Sequence, residues 1–489
     1  MRERSAVIIG GGIGGLATAA LLAHRGWRVS LFEKNQELGG LCGRFSEAGF
    51  TFDTGPSWYL MPDVFERFFR LLGEDIHAHL ELVRPAPSCR IFFEGRPESV
   101  DFVSDFEKDK GALISLDPGA LPRLERYFAR AEEHYRFADA HVLHESRDTL
   151  RSHAPLLFKK GFPYRGIFSS LGREVLRVAK TPELRAVLSY PALFLGTEPR
   201  RTPALFSMLT YADFGMGVWY PMGGMYEIVR ALVRIGEVRG ASYYSSAEVQ
   251  AVLVEEGRAV GIELVSGKKY AADIIISNTD RSFFDRHFIP SEYSEHSDAF
   301  WRRKTPGFSA AALFLGTRRK IPELAHHNFF FTRGWEKQFK VFRQGLVPDD
   351  LAFYLTMRSA TDDSAAPKGM ENLFALVPLP SAPAPPREAV DVALERVFQK
   401  ITARAPSLRD AVMFQKTWYP DDYAKKHGTF GGSLLGLAHT FFQTGPFRPS
   451  HRSSRLRNLY FVGSSTNPGI GVPACLLSAE QVIQDIRMT

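Results

Sequence analysis

Residues 5–33, SAVIIGGGIGGLATAALLAHRGWRVSLFE, decide how the rest of the chain is read. Ala6-Val7-Ile8-Ile9 is a short apolar run of the kind buried on both faces of a parallel sheet. Gly10, Gly12 and Gly15 follow in G-x-G-x-x-G register, with Ile13 and Gly14 inside it. Leu16, Ala20 and Ala23 then recur at helical spacing. A second apolar run over residues 29–32 ends on Glu33. Gly10 permits a tight turn out of the strand, and Gly12 lets the backbone approach a pyrophosphate. Gly15 brings the helix close to the sheet, with its N-terminus aimed at the phosphates. Glu33 stands where a carboxylate accepts hydrogen bonds from a ribose. Glycine-rich turns are common, but strand, glycines, helix, strand and terminal acid together specify a dinucleotide site. A secretory signal peptide is the competing reading, from Arg2 and Arg4 ahead of an apolar stretch and from Ala17-Thr18-Ala19. It leaves the glycine register and Glu33 without a purpose.

At 489 residues the chain is long for one core, so two connected domains are expected. Its 45% hydrophobic and 24% charged fractions are those of an ordinary folded protein. It has no uninterrupted apolar run of spanning length. Three widely spaced cysteines, Cys42, Cys89 and Cys475, suit a reducing cytoplasm and form neither a disulfide framework nor a zinc pattern. The net charge of +7 favours anionic surfaces. No motif of a nucleic-acid reader accompanies it, which leaves a membrane as the better candidate.

Beyond Glu33 and Lys34, Gly39-Gly40 is a second close-approach glycine pair, and Arg44 is a cation expected to reach phosphate oxygens. Phe50-Thr51-Phe52-Asp53 alternates like a strand and breaks at Gly55-Pro56. Residues 105–220 read as helices. Within them, residues 151–180 carry seven Lys or Arg against one acid, Glu174, interleaved with Leu156, Leu157, Phe158, Phe162, Tyr164, Ile167 and Phe168. That composition suits either a segment lying on an anionic bilayer or a solvated basic face over core contacts. Residues 249–265 read as a hairpin and 271–278 as a buried strand. Gly261–Lys269 imitates a P-loop, with one residue too many between its glycines and Lys269 where Ser or Thr belongs. His326-His327 offers no metal pair, because strand neighbours point to opposite faces. Near the C-terminus, Leu459–Pro473 (LYFVGSSTNPGIGVP) repeats the order strand, glycine turn, helix N-terminus.

The opening motif, the diglycine, FTFDTGPSWYLMPDVFERFF (50–69), VWYPMGGM (218–225), TDDSAAPKGMENLFALVPLP (361–380) and the C-terminal glycine phrase together resemble the bacterial phytoene desaturases. These are carotenoid desaturases of the FAD-dependent amine oxidase superfamily, and the resemblance runs nearly end to end. This chain departs from the family in having Leu41-Cys42-Gly43 before Arg44, Ser465 where relatives carry the third residue of Gly-Ala-Gly, and Asn467 where relatives carry His. The resemblance implies an α/β fold, a Rossmann-type FAD-binding domain with an inserted α+β domain for substrate and membrane docking. The FAD domain is expected from 1–105, 220–290 and 440–489, a mainly helical docking segment from 106–219, and a sheet-containing substrate domain from 291–439. Val249 is expected beside the adenine. Gly463, Gly471, Val472 and Pro473 are expected along the flavin ring and ribityl chain, with Gly55 and Pro56 also at the cofactor.

The implied reaction removes hydrogen from phytoene, towards neurosporene or lycopene, by hydride transfer to FAD with proton loss. Flavin would be reoxidised by a quinone or O2. Such chemistry asks for placement of a carbon more than for a strong base, so no acid, base or metal is named. The substrate is about as long as a bilayer core is thick, ~30 Å. The enzyme is therefore expected peripherally on the inner face of the cytoplasmic membrane. A C30 diapophytoene desaturase, an amine or porphyrinogen oxidase, and a flavin-free prenyl-binding protein like the GDP-dissociation inhibitors are the alternatives.

Overall fold

A computed structural model describes residues 4–487 of the chain; Arg2 lies outside the described residues. Ser5–Ile9 is the centre of a five-stranded parallel sheet. On one side it pairs with Arg28–Phe32 and then Ser242–Tyr244. On the other come Ile274–Ser277 and Leu459–Phe461. Alternation along the central strand explains its all-apolar sequence. Ala6 and Ile8 enter the core beneath the helix Ile13–His24, while Val7 and Ile9 face the opposite core with Phe32, Val252 and Ile262. That second core is roofed by the antiparallel sheet Val249–Glu255, Arg258–Leu264 and Lys269–Ala271. The false P-loop is the turn leading into the last of these strands.

The helix Ile13–His24 is buried along nearly its whole length, because it lies between the sheet and two further helices, Tyr226–Val238 and Val472–Arg487. An amphipathic stripe would not serve a helix covered on every side, and its Ala- and Gly-rich sequence allows the close approach.

The second sheet has seven strands in the order Val412–Trp418, Ser309–Thr317, Glu371–Leu379, Phe353–Thr356, His327–Phe331, Cys89–Phe93 and Val100–Phe102. The last two differ from the expected division, which put residues 1–105 wholly with the cofactor domain. Cys89–Phe93 pairs in parallel with His327–Phe331, so this stretch crosses to the other sheet. Two stacked ring pairs, Phe92 on Phe330 and Phe93 on Phe331, hold the register across the junction. Residues 106–214 are mostly helical, including Leu121–Ala138, which runs on into a wider turn at Asp139–Leu143.

His326 and His327 each have a partner of their own. His326 Nδ1 lies 2.8 Å from Thr361 Oγ1, and His327 Nδ1 lies 2.5 Å from the Tyr354 hydroxyl. A buried ionic knot ties the hairpin ending at Asp53 and the segment 220–223 to the turns that follow the strand Phe353–Thr356. The Arg358 guanidinium reaches Asp53 at 3.1 Å and donates to the Tyr220 hydroxyl at 3.0 Å, while Asp362 accepts from the Gly223 amide at 2.8 Å. It fixes the hairpin that precedes Gly55-Pro56.

Candidate functional site

The carboxyl ends of the parallel strands open into one cavity of about 500 Å³. At its narrow end the chain has been stripped of side chains. Gly10 turns the strand at φ +97°. A Cβ on Gly15 would lie 2.2 Å from the Gly10 carbonyl oxygen, and one on Gly40 would lie 3.1 Å from Gly12 Cα. The Gly39 amide donates to the Gly11 carbonyl at 2.7 Å, which lays the diglycine against the first turn. Gly12 caps the helix Ile13–His24 with no side chain over its N-terminus, leaving backbone donors and the positive end of the helix dipole for an anion.

Glu33 is 6% exposed and lines the same end. One of its oxygens accepts from the Gly11 amide at 2.8 Å; the other accepts from the Asn35 amide at 2.9 Å and its side-chain nitrogen at 2.6 Å. The first oxygen keeps a lone pair for a ribose hydroxyl. The donor set and the bare glycine cradle fit FAD, whose pyrophosphate Gly10–Gly14 would hold and whose adenosine Glu33 and Val249 would meet.

Of the residues singled out in the sequence, Gly10, Gly12, Ile13, Gly14, Glu33, Lys34, Gly39, Gly40, Gly55, Pro56, Val249, Gly471, Val472 and Pro473 all line this cavity. Gly15 and Gly463 stand behind the lining, where they permit close packing. Arg44 is a correction. The Leu41–Gly43 turn carries it into the strand Arg44–Glu47, where its guanidinium lies 4.6 Å over the Tyr226 ring and outside the cavity lining. The lysines lining the Glu33 end are Lys34 and Lys426, the latter from the helix Pro420–His427 of the other half. Burial lowers the Lys426 pKa, against the pull of Glu37 and Glu33.

Asn278 went unrecognised in the sequence. It follows the strand Ile274–Ser277, and its amide is the nearest neighbour of Gly12, Gly14 and Gly463 together. The available signal was positional: the end of a buried strand beside the first one is where ligands bind in such sheets.

Two more residues escaped notice on the C-terminal flavin phrase. Arg448 donates to the carbonyls of Thr466 (3.1 Å), Ser464 (2.6 Å) and Gln443 (2.9 Å). His439 Nε2 accepts from the Ile470 amide at 3.2 Å, and burial together with Arg448 holds the ring well below the ordinary histidine pKa, as a neutral imidazole.

Past Gly471–Ala474 the cavity continues as an apolar arm between Leu195, Phe206, Met208, Phe308, Phe329 and Trp58. The acids in the lining are Glu33, Glu248 and Asp280, the last bonded to Ser465 of the C-terminal phrase. Burial raises the Asp280 pKa, although Ser282 donates to it.

Residues 13–487 match the family described as flavin containing amine oxidoreductase. The chain is 38% identical, over 98% of both sequences, to a carotenoid 3,4-desaturase of Haloarcula japonica. It is 35% identical, over 98% of itself and 93% of the relative, to a zeta-carotene-forming phytoene desaturase of Myxococcus xanthus. The fold is shared with an oxidoreductase from Methanosarcina mazei at a TM-score of 0.65 and 18% identity, over 98% of this chain and all of the other. With its FAD cradle and its apolar arm, the chain belongs to the carotenoid desaturases of the flavin-containing amine oxidoreductase family, and is an FAD-dependent oxidoreductase.

Proposed function

We propose that the protein introduces conjugated double bonds into an acyclic carotenoid, with phytoene as the substrate, at the surface of an anionic membrane. The observation that carries this reading is the continuity of the cavity: one opening runs from the glycine cradle past Gly471–Ala474 into an arm of aliphatic and aromatic side chains. The relatives named above act on carotenoids, and an arm of this composition suits a hydrocarbon chain.

When bound, FAD supplies a two-electron acceptor for the hydrogen that a CH2–CH2 unit gives up in becoming CH=CH. The chain's own work is placement. Leu195, Phe206, Met208, Phe308 and Phe329 exclude water and hold a polyene in one path. His439, kept neutral, anchors the Ile470 amide and so the turn at which the arm meets the cradle. Glu33 lies at the glycine cradle, while Asp280, which accepts from the Ser465 hydroxyl at 3.3 Å, is the carboxylate beside the junction of cradle and arm.

Docking is supported by the surface of residues 150–168. Phe158 and Phe168 are 89% and 73% exposed, with Leu157 and Tyr164 also outward, and Lys159, Lys160 and Arg165 are exposed among them. Leu156 turns inward, and Phe162 is half-buried. The loop at 441–447 packs on His153 and adds Phe442, 76% exposed. No helix among the described residues is long and apolar enough to cross a membrane.

The test is direct: incubate the FAD-loaded protein with phytoene in anionic liposomes, under air or with a quinone, and record the visible spectrum of the extract. New long-wavelength bands are expected, and their position counts the double bonds. Flavin bound with no bands, while a hydroxylated or C30 carotenoid reacts, would move the substrate and retain the reaction class.

A further inference from the structure

Arg281, Arg358 and Arg448 are the buried arginines among the described residues, and their surroundings differ in kind. Arg281 is flanked by Asp285 at 3.2 Å and Glu295 at 3.1 Å, and Arg358 by Asp53 at 3.1 Å. Arg448, 4% exposed, has only carbonyl oxygens: Thr466, Ser464, Gln443 and, at 3.3–3.4 Å, Leu437. No carboxylate among the described residues comes within ion-pair distance. Carbonyls satisfy its N–H donors and leave its charge uncompensated, a costly arrangement that a fold discards unless something else uses the charge. Burial lowers the guanidinium pKa to about 9, so it stays charged at neutral pH, and Asp280 acts on it only at longer range.

The position of that charge is informative. Ser464, Ser465 and Pro468, on the segment Arg448 holds, line the cavity where the cradle meets the apolar arm. Glu33 and Gly10–Gly14 take the adenosine and pyrophosphate ends, so the redox ring of FAD belongs at this junction, where alone it meets substrate. The ring is uncharged when oxidised. On accepting two electrons and one proton, the hydride equivalent lost by the CH2–CH2 unit, it gains one negative charge.

We propose that Arg448 is a positioning residue that also tunes the cofactor. Its guanidinium splints the 464–466 backbone against Leu437 and Gln443, and its unpaired charge favours the anionic reduced flavin over the neutral oxidised one. This rests on the FAD site and goes beyond the substrate assignment, which it does not need.

The experiment compares wild type, Arg448→Met and Arg448→Lys, each loaded with FAD. Flavin fluorescence gives the affinity for oxidised FAD, and a dye-referenced reductive titration gives the midpoint potential between pH 6 and 8. Arg448→Met is expected to disfavour the reduced form at least tenfold, a midpoint 29.6 mV lower for a two-electron couple. Its affinity for oxidised FAD should fall less than its affinity for reduced FAD, and Arg448→Lys, which keeps the charge but not the fork of donors, should hold the potential nearer wild type than Arg448→Met does. Wild type alone provides a second readout should Arg448→Met fail to fold. Its potential should fall with pH as one proton per two electrons, and two protons per two electrons would overturn the proposal. An unchanged potential in Arg448→Met, with weaker FAD binding or lower thermal stability, would reduce Arg448 to a splint. Failure of wild type to bind FAD would remove the site itself, a result distinct from either.

Discussion

Gly15 has no room for a methyl group, because the atom it would meet at 2.2 Å is a backbone oxygen that cannot rotate away. Gly15→Ala must therefore push the helix Ile13–His24 off the strand, an overpacking cost of about 1–3 kcal/mol. The expected outcome is protein purified without flavin, checked by its visible absorbance against wild type. Gly111→Ala is the control: nothing lies within 4 Å of its Cβ in the helix Phe106–Leu116, so FAD should stay bound and stability rise by roughly 0.5–1 kcal/mol. Glycines of this kind were legible in the sequence because their register is local. Asn278, His439 and Arg448 were not, since each is an ordinary polar residue until the fold carries it beside the motif. Arg44 misled for a related reason. Spacing gave its distance along the chain from the diglycine, whereas its direction was set by pairing with Asp53 in a hairpin.

The C-terminal helix Val472–Arg487 is tied to residues 139–148 by a polar seam rather than by apolar contact alone. Gln481 and Gln484 donate to the carbonyls of Leu143 and His144 at 2.7 Å. Two histidines in the seam each lie between two oxygen acceptors, His451 with the Ser478 hydroxyl also at 3.3 Å. His144 lies between Asp139 and Glu480, at 2.8 and 3.2 Å. His451 lies between Asp148 (3.1 Å) and the Asn467 carbonyl (2.9 Å). Oxygen acceptors facing both ring nitrogens favour the charged ring in each case. Burial alone would depress both pKa values, but the carboxylates prevail and raise them. A raised folded-state pKa contributes stability that is fully present below the unfolded value, about 6.5, and is lost as pH climbs through the folded one. The melting temperature should accordingly fall as pH rises above about 6.5, and Asp148→Asn should flatten that fall. A profile as steep in the variant as in wild type would exclude His451 as its source. The seam was not visible beforehand, because Glu480 and Asp148 are separated by 336 and 303 residues from the histidines they face. The helix itself was legible from its glycine turn and apolar spacing.

At the scale of the molecule, charge and grease share one face. Each Lys or Arg near an anionic leaflet contributes about 1 kcal/mol. Reversing Lys159, Lys160 and Arg165 to Glu should thus weaken binding to phosphatidylserine vesicles on the order of 100-fold or more, while FAD binding in solution is untouched. Sedimentation with vesicles measures the first and absorbance the second; undiminished sedimentation would dismiss this face as the docking surface. The basic-aromatic composition was readable in sequence, but which rings point outward was not, and Phe442 joined from a segment nearly 300 residues away. The division into two sheets was only partly readable, since Cys89–Phe102 carries the same alternating pattern whichever sheet receives it. The sheet order has a consequence of its own. The outermost strand beside Ile274–Ser277 is Leu459–Phe461, and the helix that completes the cradle follows it. The nucleotide motif at residues 10–15 and the wall at residues 459–473 therefore meet only once the long stretch of chain between them has closed into a loop, a slow step in a fold built from distant contacts. Until that loop closes, the glycine-lined strand edge has nothing for a cofactor to close against. Flavin supply should therefore matter at the last step of refolding rather than the first.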